Sequence, residues 1–214
     1  MFSFFSKQDH ARIKSFEQFC FNQGMSFSEK DDLGLKSLVN IFSLFGKYRN
    51  GIINHIASRK SGDLSEQEYL FDYTYKVSTG KSTITYRQTV YFVNSKLLAL
   101  PEFMMKPEHF GHKIASYLGI NDIDFEEYPV FSDKYHLKGE HESYIRSTFS
   151  DHILKFFSKH HGWNCEAANY FMIFYKFNSL AHGPEINQFY TVSRGVYDLF
   201  KDASSVHLDV GLPE

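Results

Sequence analysis

The sequence predicts an α+β fold in which a mostly antiparallel sheet, a meander plus a later hairpin, has helices packed on one side. Residues 68–93 alternate apolar and polar side chains on either side of a short turn, as a β-hairpin does. Residues 163–177 repeat this pattern with many aromatic side chains. Residues 7–22, 140–161 and those after Pro184 instead space their apolar side chains as helices do.

The N-terminal part begins with a predicted helix over residues 7–22, because its apolar side chains recur on one helical face. Residues 31–45 favour a short helix followed by a strand. The Asn50-Gly51 pair is typical of a hairpin turn, so a strand near 41–48 paired with 52–58 is the alternative. Further strands are predicted near 52–58, 68–77 and 83–93, and Pro101 sits at the edge or end of another.

The stretch VSTGKST, residues 77–83, looks like the end of a phosphate-binding loop. A P-loop needs glycine five residues before the glycine of its Gly-Lys-Ser run, and that position is Tyr75. It also needs a following helix, whereas the residues after Ser82 are β-branched and aromatic. We therefore predict the tip of a hairpin, with Gly80 supplying a positive φ.

The second half mixes helices and strands. Pro107 is predicted to open a helix that ends at Gly119, and residues 133–139 form a short strand. A helical pattern over 140–161 breaks and starts again at Ser150. A hairpin turning near Ala168-Asn169 and a helix opened by Pro184 complete the chain.

The predicted organisation has three parts. Residues 1–30 form an N-terminal helical segment, residues 31–202 an α+β domain with sub-lobes 38–100 and 101–202, and residues 203–214 a loose tail.

Composition excludes several classes of protein. The net charge is −2 with no strongly basic segment, which argues against nucleic-acid binding. No run of apolar residues is long enough for a transmembrane segment, and two cysteines without a leader indicate a cytoplasmic protein with free thiols. The chain contains 23 Phe and 14 Tyr, and such an aromatic excess is typical of a core, an apolar ligand pocket or a protein interface.

No catalytic motif is complete, and the sequence implies no cofactor and no metal. His-Glu at 141–142 lacks the second histidine of a zinc protease, and Cys165 near His160 and His161 lacks an orienting third group. Asp72 and Arg87 lie nearly opposite each other in the predicted hairpin, where an ordinary cross-strand ion pair is one interpretation and a polar site on the sheet is the other. That polar site is the candidate site. Its five members are Asp72, Arg87, Glu102, His109 and His112.

Several strings also resemble a family of uncharacterised bacterial proteins over roughly residues 68–200. They are LFDYTYKVSTGKSTITYRQTVYF, LPEFMMKPEHFGHKI and INDIDFEEYPVFSDKYHLKGE. The resemblance implies membership of that family and assigns no catalytic residue. It also implies membrane anchoring by N-terminal apolar helices in some relatives, and no such helix is visible in this chain.

The preferred hypothesis is a non-catalytic binding or scaffold domain for a protein partner or an apolar ligand. One alternative is an enzyme whose site assembles distant polar residues of the sheet and of the 101–112 loop and helix start. The other is peripheral membrane contact through Met1–Phe5 and the first helix.

Overall fold

The computed structural model describes residues 7–46, 50–108 and 122–210 of the chain. Its helices are α1 Lys7–Gln23, α2 Leu35–Val39, α3 Ser43–Gly46, α4 Pro129–Ser132, α5 Glu142–Thr148, α6 Asp151–Lys159 and α7 Glu185–Val210. Its strands are β1 Ser26–Lys30, β2 Ile52–Lys60, β3 Glu66–Ser78, β4 Thr83–Ser95, β5 Leu100–Pro107, β6 Tyr135–Lys138, β7 Trp163–Asn169 and β8 Phe171–Lys176.

All eight strands join one sheet in the order β1-β2-β3-β4-β8-β7-β5-β6, and every neighbouring pair is antiparallel. Strands β1 to β4 form the meander, and the β7–β8 hairpin lies between β4 and β5. The predicted α+β class is therefore confirmed. The sub-lobes proposed at 38–100 and 101–202 share this single sheet, since β4 pairs with β8 across that boundary.

The β3–β4 hairpin confirms the interpretation of the VSTGKST stretch. Ser78 pairs with Thr83, and Thr79 and Ser82 close the turn with a backbone hydrogen bond of 2.9 Å from Thr79 N to Ser82 O. Gly80 has φ of 81°, a conformation that costs glycine little. Because a strand follows the turn, the geometry of a P-loop is excluded here.

One face of the sheet, called the helix face here, packs against α1, α5, α6 and α7. Its core holds Phe16 from α1, Phe157 from α6 and Phe200 from α7, all fully buried. Burying a phenylalanine side chain stabilises a fold by roughly 1.5–3 kcal/mol, so this packing holds the helices to the sheet. The Ser150 break is confirmed, because Ser150 separates α5 from α6 as the residue that caps α6.

The opposite face carries a second core over β2, β3, β4 and β8. Alternate β3 residues Tyr69, Phe71, Tyr73 and Tyr75 point to it and are covered by the short helices α2 and α3. The aromatic excess therefore serves mainly the two cores. Among the described residues, Phe21 and Tyr170 are the aromatic side chains with the largest exposure.

Some boundaries differ from the sequence predictions. Residues 43–46 are helical, so the described part of the alternative strand, residues 41–46, is not a strand, while the short helix is confirmed as α2. Pro107 ends β5 instead of opening a helix, and the rest of the helix predicted up to Gly119 lies outside the described residues apart from Glu108. The tail predicted from 203 is wrong as far as Val210, because α7 continues to that residue.

The N-terminal segment predicted at 1–30 contains α1 as expected, and it also contains β1. Strand β1 pairs with β2, with Ser26 opposite Ser58 and Lys30 opposite Asn54. Its residues are mostly polar and its side chains are largely exposed, which is typical of a strand at the edge of a sheet. The N-terminal segment is thus part of the α+β domain.

Candidate functional site

The predicted cross-strand pair of Asp72 and Arg87 is not formed. Asp72 lies opposite Thr89 on β4, and Arg87 lies opposite Thr74. The side chain of Asp72 is buried, whereas that of Arg87 is exposed. The prediction failed because the hairpin register sets these residues two positions apart and because a closer cation comes from a remote helix.

That cation is Arg12 of α1. Its guanidinium donates to both carboxylate oxygens of Asp72, at 2.7 and 2.6 Å, to Thr89 Oγ1 at 3.1 Å and to the carbonyl oxygen of Ala181. His55 Nδ1 lies 3.0 Å from the second carboxylate oxygen. Burial by itself raises the pKa of Asp72, but the hydrogen bonds from His55 and Arg12 and the charge of Arg12 together lower it. Asp72 therefore stays ionised and holds α1 to the sheet.

The other members of the candidate site do not meet Asp72. Glu102 is exposed on β5, and β4, β8 and β7 lie between β5 and β3. Four strand spacings separate the two strands by about 19 Å. His109 and His112 lie outside the described residues.

Two further carboxylates are buried on the sheet and bind protein groups. Glu166 accepts from the amide and hydroxyl of Ser43 at 2.7 and 2.9 Å, which fixes α3 to β7. Glu68 accepts from the hydroxyl of Tyr190 at 3.0 Å and pairs with Arg59 and Arg194, which fixes α7 to β2 and β3. Each of these networks joins elements that are distant in the sequence.

The cysteines are poor nucleophiles in this fold. Cys165 is fully buried on β7, and burial raises its pKa well above that of a free thiol. Burial, with a smaller contribution from Glu17, raises the pKa of Cys20 to about 11. Both thiols are therefore protonated near neutral pH, and a thiolate is the form that attacks a substrate.

One feature with the geometry of a binding site is an open groove between the end of α6, the β7–β8 hairpin and the start of α7. We call it the Trp163 groove, and its volume is about 440 Å³. This volume lies within the range of about 300–1,000 Å³ typical of small-molecule sites. The residues that line it are Lys159, His160, His161, Trp163, Lys176, Ser179, Leu180, Ala181, Glu185, Gln188, Phe189 and Val192.

The position of Trp163 follows from the chain around it. Gly162, with φ of 79°, turns the chain from the end of α6 into β7, so Trp163 opens the strand. Its indole stacks on Phe174 with ring centroids 4.3 Å apart and contacts Phe189 of α7 at 5.5 Å. The ammonium of Lys176, which lies opposite Trp163 in the hairpin, is 4.4 Å from the indole centroid. The groove thus has an aromatic floor beside a cation, in which Trp163 and Phe189 keep 6% and 9% of their surface exposed.

Sequence reasoning did not nominate this groove. Trp163, Lys176 and Phe189 come from two strands and a helix, and no spacing along the chain relates them to one another. One signal was present, because Trp163 is the only tryptophan in the chain and follows the basic run Lys159, His160 and His161 after one glycine. That run was interpreted as a helix end, which it is.

Metal-ion sites and membrane-spanning helices are both absent from the described residues. Within residues 7–46, 50–108 and 122–210, no three His, Cys, Asp or Glu side chains are grouped as ligands of a metal ion. None of the helices in those same ranges combines the length and the apolar character that crossing a bilayer demands.

Comparison with known proteins identifies a fold. No family model matches the chain, and no curated protein matches it. Among solved structures, the chain is similar to the crystal structure of the mycobacterial trehalose monomycolate transport factor A, TtfA. The TM-score is 0.61 at 6% sequence identity, and the match covers 90% of this chain and 94% of the other. At that identity the two proteins share their fold, and the likeness extends over nearly the whole of both chains.

Proposed function

We propose that this protein is a non-catalytic binding domain and that the Trp163 groove takes an apolar ligand. The observation that carries the proposal is the groove itself, which brings the aromatic side chains of Trp163 and Phe189 together with the half-exposed Leu180 and Val192. Seven of the twelve lining residues are polar or charged, so these four apolar side chains form one part of a mixed surface. Small-molecule sites combine apolar contact with placed polar groups in this way.

The buried polar residues support binding rather than catalysis. Asp72, Glu68 and Glu166 are each held by groups of the protein that join separate elements of the fold. None of the three lines the Trp163 groove. Cys165 is on strand β7 with its side chain buried in the core, and its thiol is protonated. The similar structure is named as a transport factor, and this agrees with a binding role.

The resemblance to uncharacterised bacterial proteins is part of the same proposal. The strings that carry it lie within 68–140 and include β3, β4, β5 and β6, which form the body of the sheet. We infer that the family shares this scaffold and that members differ mainly in the loops and helix ends around it. Loops positioned by a rigid scaffold are where binding residues concentrate.

Tryptophan fluorescence tests the proposal directly, because Trp163 is the only tryptophan and lies on the floor of the groove. Titration with decanol should change its emission saturably. Leu180→Asp should weaken this binding, since it places a charge on the apolar wall. Leu64→Asp is the matched control, because Leu64 is exposed in the β2–β3 turn and does not line the groove.

Circular dichroism and thermal melting of both variants separate lost binding from lost structure. The proposal predicts that the two variants have the same melting temperature and that only Leu180→Asp binds decanol more weakly. An emission that stays constant throughout the titration of the unaltered protein would refute the groove as an apolar site.

A further inference from the structure

The rim of the Trp163 groove carries an excess of positive charge. Lys159 and Lys176 line it, and Glu185 is the one carboxylate among its lining residues. Within the described residues, neither lysine forms an ion pair with a carboxylate of the chain. Both ammonium groups are therefore available to a ligand in the groove.

A third ammonium lies beside the same rim. Lys134 Nζ donates to the carbonyl oxygen of Ser158 at 2.8 Å and lies 3.0 Å from His161 Nε2. An ammonium only donates, so Lys134 is the donor in its contact with Nε2 of His161. Lys134 is thereby held at the end of α6, and it adds to the positive potential at this end of the groove.

The dipole of α6 explains part of this charge. Lys159 is the last residue of α6, where a cation is favourable because the helix end carries a partial negative charge. Lys176 ends strand β8, so no helix end accounts for it. Its ammonium instead sits over the indole of Trp163, at the boundary between the apolar floor and the solvent.

This boundary matches the two parts of an amphiphile. An apolar chain against Trp163 and Phe189 would place a headgroup near Lys176, and Lys159 lines the same groove. Removing water around the headgroup strengthens its attraction to both ammonium groups. An uncharged headgroup would gain no such attraction.

We propose that the Trp163 groove binds anionic amphiphiles, with the apolar chain on the aromatic floor and the acidic headgroup at Lys176 and Lys159. This inference rests on the proposed function, because it names the ligand class of the same groove. It adds a requirement for negative charge that an apolar site alone does not have.

The test compares decanoate with decanol, which share a chain and differ in headgroup charge. Both are titrated at low ionic strength while the emission of Trp163 is followed. Decanoate should bind at least about tenfold more tightly than decanol. One hydrogen bond to a charged group strengthens binding by about that factor. Added salt should reduce the preference, because the lysines at the rim are partly exposed to solvent.

Lys176→Gln and Lys159→Gln should each reduce the ratio of decanoate affinity to decanol affinity. Lys60→Gln is the matched control, because Lys60 is an exposed lysine at the end of β2 and outside the groove. The change in emission is fitted for each protein separately, since replacing Lys176 also alters the surroundings of the indole. Thermal melting confirms that the variants are folded.

The outcomes separate the two proposals. If decanol binds as tightly as decanoate, the proposed function stands and the requirement for negative charge is refuted. If neither ligand changes the emission saturably, both proposals fail. If decanoate is preferred and the preference is the same in Lys176→Gln and Lys159→Gln, the anion binds elsewhere and this inference is overturned.

Discussion

Arg12→Met tests how α1 is held to the sheet. The guanidinium and the Asp72 carboxylate are both buried, with side-chain exposures of 9% and 8%. Methionine keeps the aliphatic stem and a similar helix propensity, so the change removes mainly the charge and its hydrogen bonds. The variant leaves a buried carboxylate without its principal cation.

The expected loss of stability follows from these contacts. Removing one partner of a buried ion pair costs about 3–5 kcal/mol of unfolding free energy. Two donors remain near Asp72, namely His55 at 3.0 Å and Thr89 Oγ1 at 3.0 Å, so we expect the lower end, about 3 kcal/mol. For a chain of this length, such a loss lowers the melting temperature by about 6–12 °C.

Urea unfolding followed by circular dichroism measures this change, and Lys14→Met is the matched control. Lys14 is exposed on the same helix, so its replacement should change stability by less than about 0.5 kcal/mol. Combining Arg12→Met with Asp72→Asn should cost less than the sum of the single changes, because the pair is coupled. An Arg12→Met variant as stable as the control would refute the assignment of this ion pair as the anchor of α1.

The pH dependence of stability provides a second measurement on the same pair. The native pKa of Asp72 is lowered, so the native state binds fewer protons than the unfolded state below about pH 4, where a free aspartate begins to titrate. The stabilisation is therefore present above that pH and is lost as the pH falls through the native pKa. As the pH falls below about 4, the unfolding free energy of Arg12→Met should decrease less than that of the unaltered protein. Urea unfolding at several pH values measures this difference.

Three other substitutions or reagents test separate features. Glu166→Gln should lower the unfolding free energy by about 1–3 kcal/mol, because the amide loses charge-assisted bonds to Ser43 at 2.7 and 2.9 Å; a neutral effect in urea unfolding would contradict this role. Gly51→Ala should destabilise the protein by about 1–3 kcal/mol, since its Cβ would lie 2.1 Å from the Tyr73 hydroxyl; an unchanged melting temperature would disprove the close contact. Cys165 should react with a thiol reagent only as fast as the protein unfolds at neutral pH, and rapid labelling of native protein would show that its burial is misassigned.

Local patterns along the chain predicted most of the secondary structure. The alternation of Phe71, Tyr73 and Tyr75 with polar residues identified β3 and the face it presents to a core. Glycine and proline identified several boundaries, including the β3–β4 turn and the start of α7. These signals work because a strand or a turn is determined by residues that are close together in sequence.

Contacts between remote elements could not be predicted in the same way. Arg12 and Asp72 are brought together by the packing of α1 on the sheet. The sequence around either residue does not predict its partner. The Trp163 groove is a similar case, because its lining residues belong to α6, β7, β8 and α7. Pro107 misled for another reason, since a proline that suits the first turn of a helix also suits the last position of a strand.

The position of β8 between β4 and β7 has a consequence for the order in which the protein is made. Strands β1 to β4 leave the ribosome well before β8, whose residues Phe171–Lys176 come much later in the chain. Until then β4 presents an unpaired edge along Val90–Asn94, and such edges recruit other chains. A chain truncated after β4 should therefore scatter light through aggregation at concentrations where the full chain stays clear. The C-terminal half then protects the N-terminal half, by closing the edge at which nascent copies would otherwise join.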